Sequence, residues 1–118
     1  MREHSFGRTE FTVSDIGFGA WQIGGSWGEV SEADGRAALN AALDAGMTFI
    51  DTADVYSRWV PGNDSESEKI IGRWMKARGN RDKVLVFTKV GSDMGQGHKD
   101  LSAKWIVEAV EASLKRLQ

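Results

Sequence analysis

Three short apolar runs recur along the chain at intervals that fit a repeated strand–helix unit. The runs contain Phe18, Phe49 and Phe87, which are separated by 31 and 38 residues, and a helical pattern follows each run. Parallel strands must be joined by a crossover of about a dozen residues or more, usually a helix. The spacing therefore predicts an α/β chain with a parallel sheet, either an open doubly wound sheet or a closed eight-stranded barrel.

The approximate bounds of these units follow from the turn residues and the glycines between the apolar runs. We expect a hairpin at about residues 5–15, with its turn at Gly7. The three βα units should then span about 16–46, 47–79 and 83–118. The whole chain, residues 1–118, is thus interpreted as one continuous segment of a single architecture.

Each predicted helix begins at a serine that can accept a hydrogen bond from the backbone. Ser31 and Ser65 resemble the first residues of capping boxes, because an acidic residue follows each of them three positions later. Ser102 can cap the third helix in the same way. The third helix carries apolar residues on one side, which are Ile106, Val110, Leu114 and Leu117.

The composition excludes several classes of protein. A formal net charge of -2 over 118 residues gives no electrostatic reason to expect a nucleic acid or a membrane surface as a partner. The absence of cysteine excludes disulfides and thiolate metal sites, and His4 and His98 have no partner at metal-ligand spacing. The N-terminus has no apolar segment of the signal-peptide kind, and no apolar run approaches the roughly 20 residues of a membrane span. We expect a cytoplasmic protein without a metal site.

Polar side chains follow two neighbouring strands where each strand ends. Asp51 comes after Phe49-Ile50, and Lys89 comes after Phe87-Thr88. Because ligands bind at the carboxyl ends of parallel strands, these two residues could form either a structural ion pair or part of a functional site. Tyr56, the single tyrosine, would favour a functional site, because a neighbouring ammonium makes a phenol a better proton donor.

The loop after the first strand is rich in glycine and tryptophan. It begins like a dinucleotide-binding fingerprint, but Gln22 stands where the third glycine should be. The stretch 19–26 has the spacing of a P-loop except that Gly25 replaces its lysine, which argues against an ATPase. Trp21 and Trp27 favour a pocket wall over a merely mobile connection.

Longer motifs resemble one known family. The segment from Asp44 to Tyr56 is similar to the signature of aldo-keto reductases, D-x-G-x-x-x-x-D-T-A-x-x-Y. The segment from Phe87 to Val90 resembles the lysine strand of that family. The helix start from Ser67 to Gly72 resembles those of bacterial aldo-keto reductases and of potassium-channel β subunits.

This resemblance implies a fold and a set of site residues. The chain would be the N-terminal hairpin and first three βα units of a (β/α)8 TIM barrel, which these residues leave incomplete. Asp51, Tyr56 and Lys89 would be catalytic residues. NADPH would be the cofactor, with Gly19, Ala20, Trp21 and Asp51 close to it. The substrate would contact Trp21, Trp27 and Tyr56.

The resemblance also implies a reaction, the reduction of small aldehydes and ketones to alcohols with NADPH. The family's fourth catalytic residue is a histidine at the end of a fourth strand, so we expect residues 1–118 alone to be inactive. Two alternatives stay open. The chain could be a truncated or engineered fragment that self-associates through unpaired sheet edges without catalysis. It could also belong to a nucleotide-sensing accessory subunit.

Overall fold

A computed structural model describes residues 1–25 and 27–118, so that Ser26, the last residue of the P-loop-like stretch, lies outside the described residues. The chain begins with an antiparallel hairpin of β1 (Glu3–Ser5) and β2 (Thr12–Ser14). Strand β1 begins two residues before the hairpin expected at about 5–15, whereas β2 lies within it. Phe6 begins the connection, where its N–H donates to the Phe11 carbonyl at 2.9 Å.

The predicted parallel sheet is confirmed and contains three described strands. They are β3 (Phe18–Gly19), β4 (Phe49–Asp51) and β5 (Leu85–Phe87), hydrogen-bonded in that order. Gly19, Asp51 and Phe87 are aligned across the sheet, so the three strands end level with one another. The polar residues that follow the strands are therefore brought to a single edge.

Three helices follow the three strands. They are α1 (Glu32–Asp44), α2 (Glu66–Arg78) and α3 (Ala103–Leu117), and a 3-10 turn at Arg81–Lys83 leads into β5. Among the described residues, none of the helices has both the length and the apolar character to cross a membrane. The α/β order expected from the spacing is thus observed.

Two of the three predicted serine caps are confirmed. Ser31 accepts from the Asp34 N–H at 3.0 Å, and Ser102 accepts from the Trp105 N–H at 3.2 Å. The prediction of a capping box at Ser65 is wrong, because Ser65 adopts a left-handed conformation with φ of 56° and its side chain makes no capping bond. Glu68, its expected partner, is instead buried beneath the sheet edge, where other residues bind its carboxylate.

The core lies between the helices and one face of the sheet. Phe18, Ile50 and Val86 are aligned across the strands and point toward this core. Trp74 is almost completely buried, and its indole N–H donates to the Asn40 side chain at 2.8 Å. The core is completed by Ala20, Ile23, Leu39, Ile70, Ile71, Met75, Val84 and Leu117.

Helix α3 uses small residues for packing and leaves most of its apolar stripe exposed. Ala109 and Ser113 are buried, and so is Leu117. The exposed fractions of Ile106, Val110 and Leu114 range from 37% to 58%, although all three lie on the apolar side that the sequence pattern indicates. We call these three residues, with Val107, the α3 face.

Candidate active site

Asp51, Tyr56 and Lys89 are brought together at the carboxyl edge of the sheet. Asp51 ends β4, Tyr56 lies in the loop that follows β4, and Lys89 lies two residues after β5. The Lys89 ammonium donates to Asp51 Oδ1 at 2.7 Å and to the Thr52 carbonyl, also at 2.7 Å. Its Nζ atom lies 5.0 Å from the centre of the Tyr56 ring.

These contacts keep Lys89 positively charged. Partial burial acts to lower the pKa of Lys89, but the hydrogen bonds to Asp51 and Tyr56 outweigh it and raise that pKa above its ordinary value. The side chains of Asp51 and Lys89 are each half exposed, so their ion pair contributes little to the stability of the fold. Stability alone therefore does not explain why an acid and a base are paired at this edge of the sheet.

The backbone beyond the strands continues the sheet and positions these side chains. The Ala20 N–H donates to the Asp51 carbonyl at 2.9 Å, and the Thr52 N–H donates to the Phe87 carbonyl at 2.8 Å. The Asp54 N–H donates to the carbonyl of Lys89 at 3.1 Å. Lys89 is consequently held through its main chain as well as through its ammonium.

Three aromatic rings form a wall beside the site, which we call the aromatic cluster: Trp21, Tyr56 and Trp59. Ring centres are 5.6 Å apart for Trp21 and Tyr56, 5.4 Å for Trp21 and Trp59, and 6.3 Å for Tyr56 and Trp59. Trp21 and Trp59 are about half exposed, so part of each side chain is accessible from solvent. Trp27 takes no part in this cluster and is 75% exposed.

Sequence reasoning did not identify Trp59. Its contacts join two loops, and no single segment of the sequence shows that they meet. The one local signal is the presence of a second large aromatic residue three positions after Tyr56. Large aromatics near glycines in a strand-end loop are common in pockets, and the same argument that selected Trp21 could have selected Trp59.

Two hydrogen bonds join the loop after β3 to the loop after β4. The Ser57 hydroxyl donates to the Ile23 carbonyl at 2.5 Å, and the Asn63 side chain donates to the Gly24 carbonyl at 2.7 Å. Gly24 has φ of 102°, and a Cβ atom there would lie 2.5 Å from the Ser57 hydroxyl oxygen. The close approach of the loops therefore requires glycine at position 24.

The end of β3 offers an open backbone surface next to Asp51. A Cβ atom at Gly19 would meet nothing within 4 Å, so this side of the strand end has room for a flat ring. Ala20 is fully buried, and its N–H and carbonyl are bonded to Asp51 and to the Ser67 hydroxyl. Gly19 and Trp21 thus border open space beside Asp51, whereas Ala20 lies in the core behind them.

Neither histidine lies at this site. His4 contacts Asp15 in the N-terminal hairpin, and the His98 ring lies 3.9 Å from the Asp100 carboxylate in the loop before α3. Within residues 1–25 and 27–118, no three histidine, cysteine or acidic side chains are grouped so that they could hold a metal ion. The described side chains that meet at the strand ends are those of a tyrosine, a lysine and an aspartate.

A parallel βα architecture with polar side chains at the strand ends is typical of α/β proteins that bind their ligands at this edge of the sheet. Residues 15–118 match the family model described as the Aldo/keto reductase family, and the chain belongs to that family. The resemblance found in the sequence motifs is therefore confirmed.

Individual relatives agree with this assignment. The chain is 40% identical over its full length to the aldo-keto reductase YhdN of Bacillus subtilis and covers 35% of it. It is 39% identical over 99% of its length to a probable voltage-gated potassium channel subunit beta of rice, Oryza sativa subsp. japonica, of which it covers 34%. The chain thus spans about a third of the length of these two relatives.

A solved structure shows the same fold. The holo form of the aldo-keto reductase AKR11C1 from Bacillus halodurans superposes with a TM-score of 0.82 at 31% identity. The match covers 100% of this chain and 37% of that protein. The predicted fold class, part of an aldo-keto reductase TIM barrel, is confirmed by this likeness.

Proposed function

We propose that residues 1–118 supply the proton-donating part of the active site of an oxidoreductase that reduces aldehydes and ketones to alcohols. The observation that carries this proposal is the position of the Lys89 ammonium, 2.7 Å from Asp51 and 5.0 Å from the centre of the Tyr56 ring. A cation in this position stabilises the phenolate that remains when tyrosine gives up its proton.

The roles of the three residues follow from their chemistry. The Tyr56 hydroxyl donates its proton to the carbonyl oxygen of the substrate, so that the oxygen becomes a hydroxyl group as the carbon accepts a hydride. Lys89 stabilises the resulting phenolate, and Asp51 holds Lys89 in place. When bound, a nicotinamide cofactor would supply the hydride.

NADPH is the cofactor that we propose, with Gly19, Ala20, Trp21 and Asp51 at its nicotinamide end. The open backbone at Gly19 and the half-exposed ring of Trp21 support this placement. A relative from Schizosaccharomyces pombe, 36% identical over 90% of this chain, is named for NADP(+). We choose NADPH over NADH on that relationship.

A small carbonyl compound is the proposed substrate, and Trp21, Trp27 and Tyr56 are its proposed contacts. This proposal is supported by the Trp21 ring, whose centre lies 5.6 Å from that of Tyr56, the proposed proton donor. Trp27 is largely exposed and would contact only a part of the substrate that projects outward. Trp59 joins this set because its ring packs on both other members of the aromatic cluster.

Substitution of the proton donor in the complete gene product tests this proposal. We expect Tyr56→Phe to lower kcat for an aromatic aldehyde with NADPH by about 10²-fold or more, because general acid catalysis contributes about that much. Lys89→Met should have a comparable effect. Lys83→Met, at an exposed position in the 3-10 turn before β5, serves as the control and should retain most of the activity. A Tyr56→Phe variant with a kcat within about twofold of the wild type would refute the proposed role.

A second candidate function is non-catalytic and concerns residues 1–118 when they are isolated. The α3 face is exposed, and strand β5 has an edge beside an open groove of about 450 Å³ that Phe11 and residues 84–87 line. Such surfaces favour association with other copies of the chain. We propose that the isolated segment self-associates and gives no turnover above a Lys89→Met control, since His4 and His98 contact Asp15 and Asp100 and no described contact joins either to Tyr56.

An accessory role is the remaining alternative for the complete protein. It is favoured by the similarity to proteins named as potassium channel β subunits. In that case NADPH would bind while the turnover of carbonyl compounds stays slow. Measurement of NADPH affinity and of turnover in the same preparation separates this role from that of a reductase.

A further inference from the structure

A buried acidic side chain lies directly beneath the candidate site. Glu68 in the first turn of α2 is completely buried. Its Oε1 atom accepts from the Thr88 hydroxyl at 2.6 Å, and its Oε2 atom accepts from the Arg116 guanidinium at 2.6 Å. Asp54, which is also buried, lies close enough to Glu68 for the two carboxylates to repel each other.

This carboxylate is connected to the candidate site through one residue. Thr88 immediately precedes Lys89, and the carbonyl of Lys89 accepts from the Asp54 N–H at 3.1 Å. The two residues after β5 are therefore held from two directions, by a side chain of α2 and by the backbone of the loop after β4. The Lys89 ammonium then reaches Asp51 and the Thr52 carbonyl at 2.7 Å.

We propose that Glu68 is a positioning residue for Lys89 and that it acts through the Thr88 hydroxyl. This inference rests on the proposed function, since it assigns Glu68 to the support of the proton-donating tyrosine. Glu68 does not contact the Asp51, Tyr56 and Lys89 group directly. It fixes the direction in which the chain leaves β5, and that direction sets where the lysine ammonium can lie.

The distribution of charges in this buried region agrees with a positioning role. A buried ion pair is seldom more stable than well-packed apolar residues of similar size, so the pair of Glu68 and Arg116 is poorly explained by stability alone. Without Thr88, the second carboxylate oxygen of Glu68 would have no hydrogen-bond partner. Hydrogen bonds to an ionised acceptor are shorter and stronger than neutral ones, and the 2.6 Å bond from Thr88 has the expected length.

Thr88→Val is the substitution that isolates this bond, because it removes the hydroxyl and keeps the shape of the side chain. Thr88→Ser restores the hydroxyl and is the conservative rescue. Thr48→Val is the matched control, since Thr48 accepts from the Ser14 N–H at 2.8 Å just before β4, at the opposite end of the sheet. Glu68→Ala is avoided because it would also remove the carboxylate that binds the partly buried Arg116 guanidinium.

We expect Thr88→Val to lower kcat of the complete gene product with NADPH about tenfold, as expected for the loss of one hydrogen bond to a charged group. The KM for the carbonyl compound should stay unchanged. Thr88→Ser should restore kcat to within about twofold of the wild type, and Thr48→Val should affect thermal stability only.

A spectroscopic measurement provides a readout that does not depend on turnover. The protein is labelled with ¹³C at the lysine ε carbon, the Lys89 signal is assigned with Lys89→Met, and its pKa is determined by titration. Thr88→Val should move the pKa of Lys89 toward the ordinary lysine value, whereas Thr48→Val should leave it in place. An unchanged pKa and an unchanged kcat in Thr88→Val would overturn the positioning role.

The failure of this inference can be distinguished from the failure of the proposed function. If Lys89→Met retains full activity, the proposed proton-donating site is wrong. If Lys89→Met is inactive while Thr88→Val matches the wild type in both measurements, the site stands and Glu68 is merely structural.

Discussion

Gly72 of α2 lies against the main chain of Arg116 in α3, so closely that a Cβ atom at position 72 would stand 2.0 Å from the Arg116 carbonyl oxygen. The Arg116 carbonyl belongs to the main chain, so it cannot rotate away as a flexible side chain could. The two helices are therefore in contact at the turn that also carries the Arg116 side chain to Glu68. Any side chain at position 72 would separate the helices.

This contact predicts the effect of Gly72→Ala on stability. Alanine is ordinarily better than glycine within a helix by about 1 kcal/mol. Here we expect Gly72→Ala to reduce the free energy of unfolding by about 1–3 kcal/mol, because overpacking forces the helices apart. Urea denaturation measures the change, and Lys76→Ala, at an exposed position of the same helix, is the control. An increase in stability on Gly72→Ala would contradict the tight contact.

The buried carboxylate of Asp54 predicts a pH dependence of stability. Burial, with a further contribution from the charge of Glu68, raises the pKa of Asp54 from 3.8 to about 6. The folded protein thus binds this proton more tightly than the unfolded chain does. Protonation of Asp54 therefore stabilises the folded state. This contribution is complete below about pH 4 and is lost as the pH rises through about 6.

Asp54→Asn should remove this dependence. We expect the variant to gain stability relative to the wild type between about pH 4.5 and about pH 8, by at most about 3 kcal/mol. Urea midpoints of both proteins at the two pH values measure the difference. Asp82→Asn, in the exposed 3-10 turn, is the control. A difference between Asp54→Asn and the wild type that does not vary with pH would refute this account.

The α3 face predicts that residues 1–118 form dimers or larger assemblies at micromolar concentration. Leu114→Glu places a charge within this face and should shift the segment toward the monomer in light scattering. Lys115→Glu changes the charge at a neighbouring exposed position and should have little effect. A monomeric wild-type segment would exclude the proposed self-association.

Tryptophan fluorescence reports on the proposed cofactor position. Trp21 lies beside Tyr56 and Trp59, whereas Trp27 lies outside the aromatic cluster. We expect NADPH to quench the fluorescence of the complete gene product. Trp21→Phe should remove much of this quench, and Trp27→Phe should retain it. A quench that survives Trp21→Phe would place the nicotinamide away from the end of β3.

The sequence was sufficient to predict that Asp51 and Lys89 lie close together. Asp51 ends one strand and Lys89 follows its neighbour, so their proximity is a consequence of the parallel register. The caps at Ser31 and Ser102 were predictable because each involves residues within one turn. These features need no knowledge of how distant segments pack.

The features that the sequence did not predict depend on packing between distant segments. Ser65 does not cap α2, because its backbone is left-handed. Its expected partner Glu68 is instead engaged by Thr88 and by Arg116, 48 residues further along the chain. The apolar stripe of α3 is exposed because the smaller Ala109 and Ser113 are buried instead. Periodicity shows which residues share a side of a helix, but it does not show which of them the neighbouring helix covers.

The bonds from Ser57 to Ile23 and from Asn63 to Gly24 also have an evolutionary consequence. A residue inserted into either loop would move a donor away from its acceptor, and the rings of the aromatic cluster would move apart. We therefore expect the lengths of these two loops to change together among related proteins. A search for relatives in which a change of length in one loop is matched by a change in the other would then identify those in which the two loops together carry the aromatic cluster.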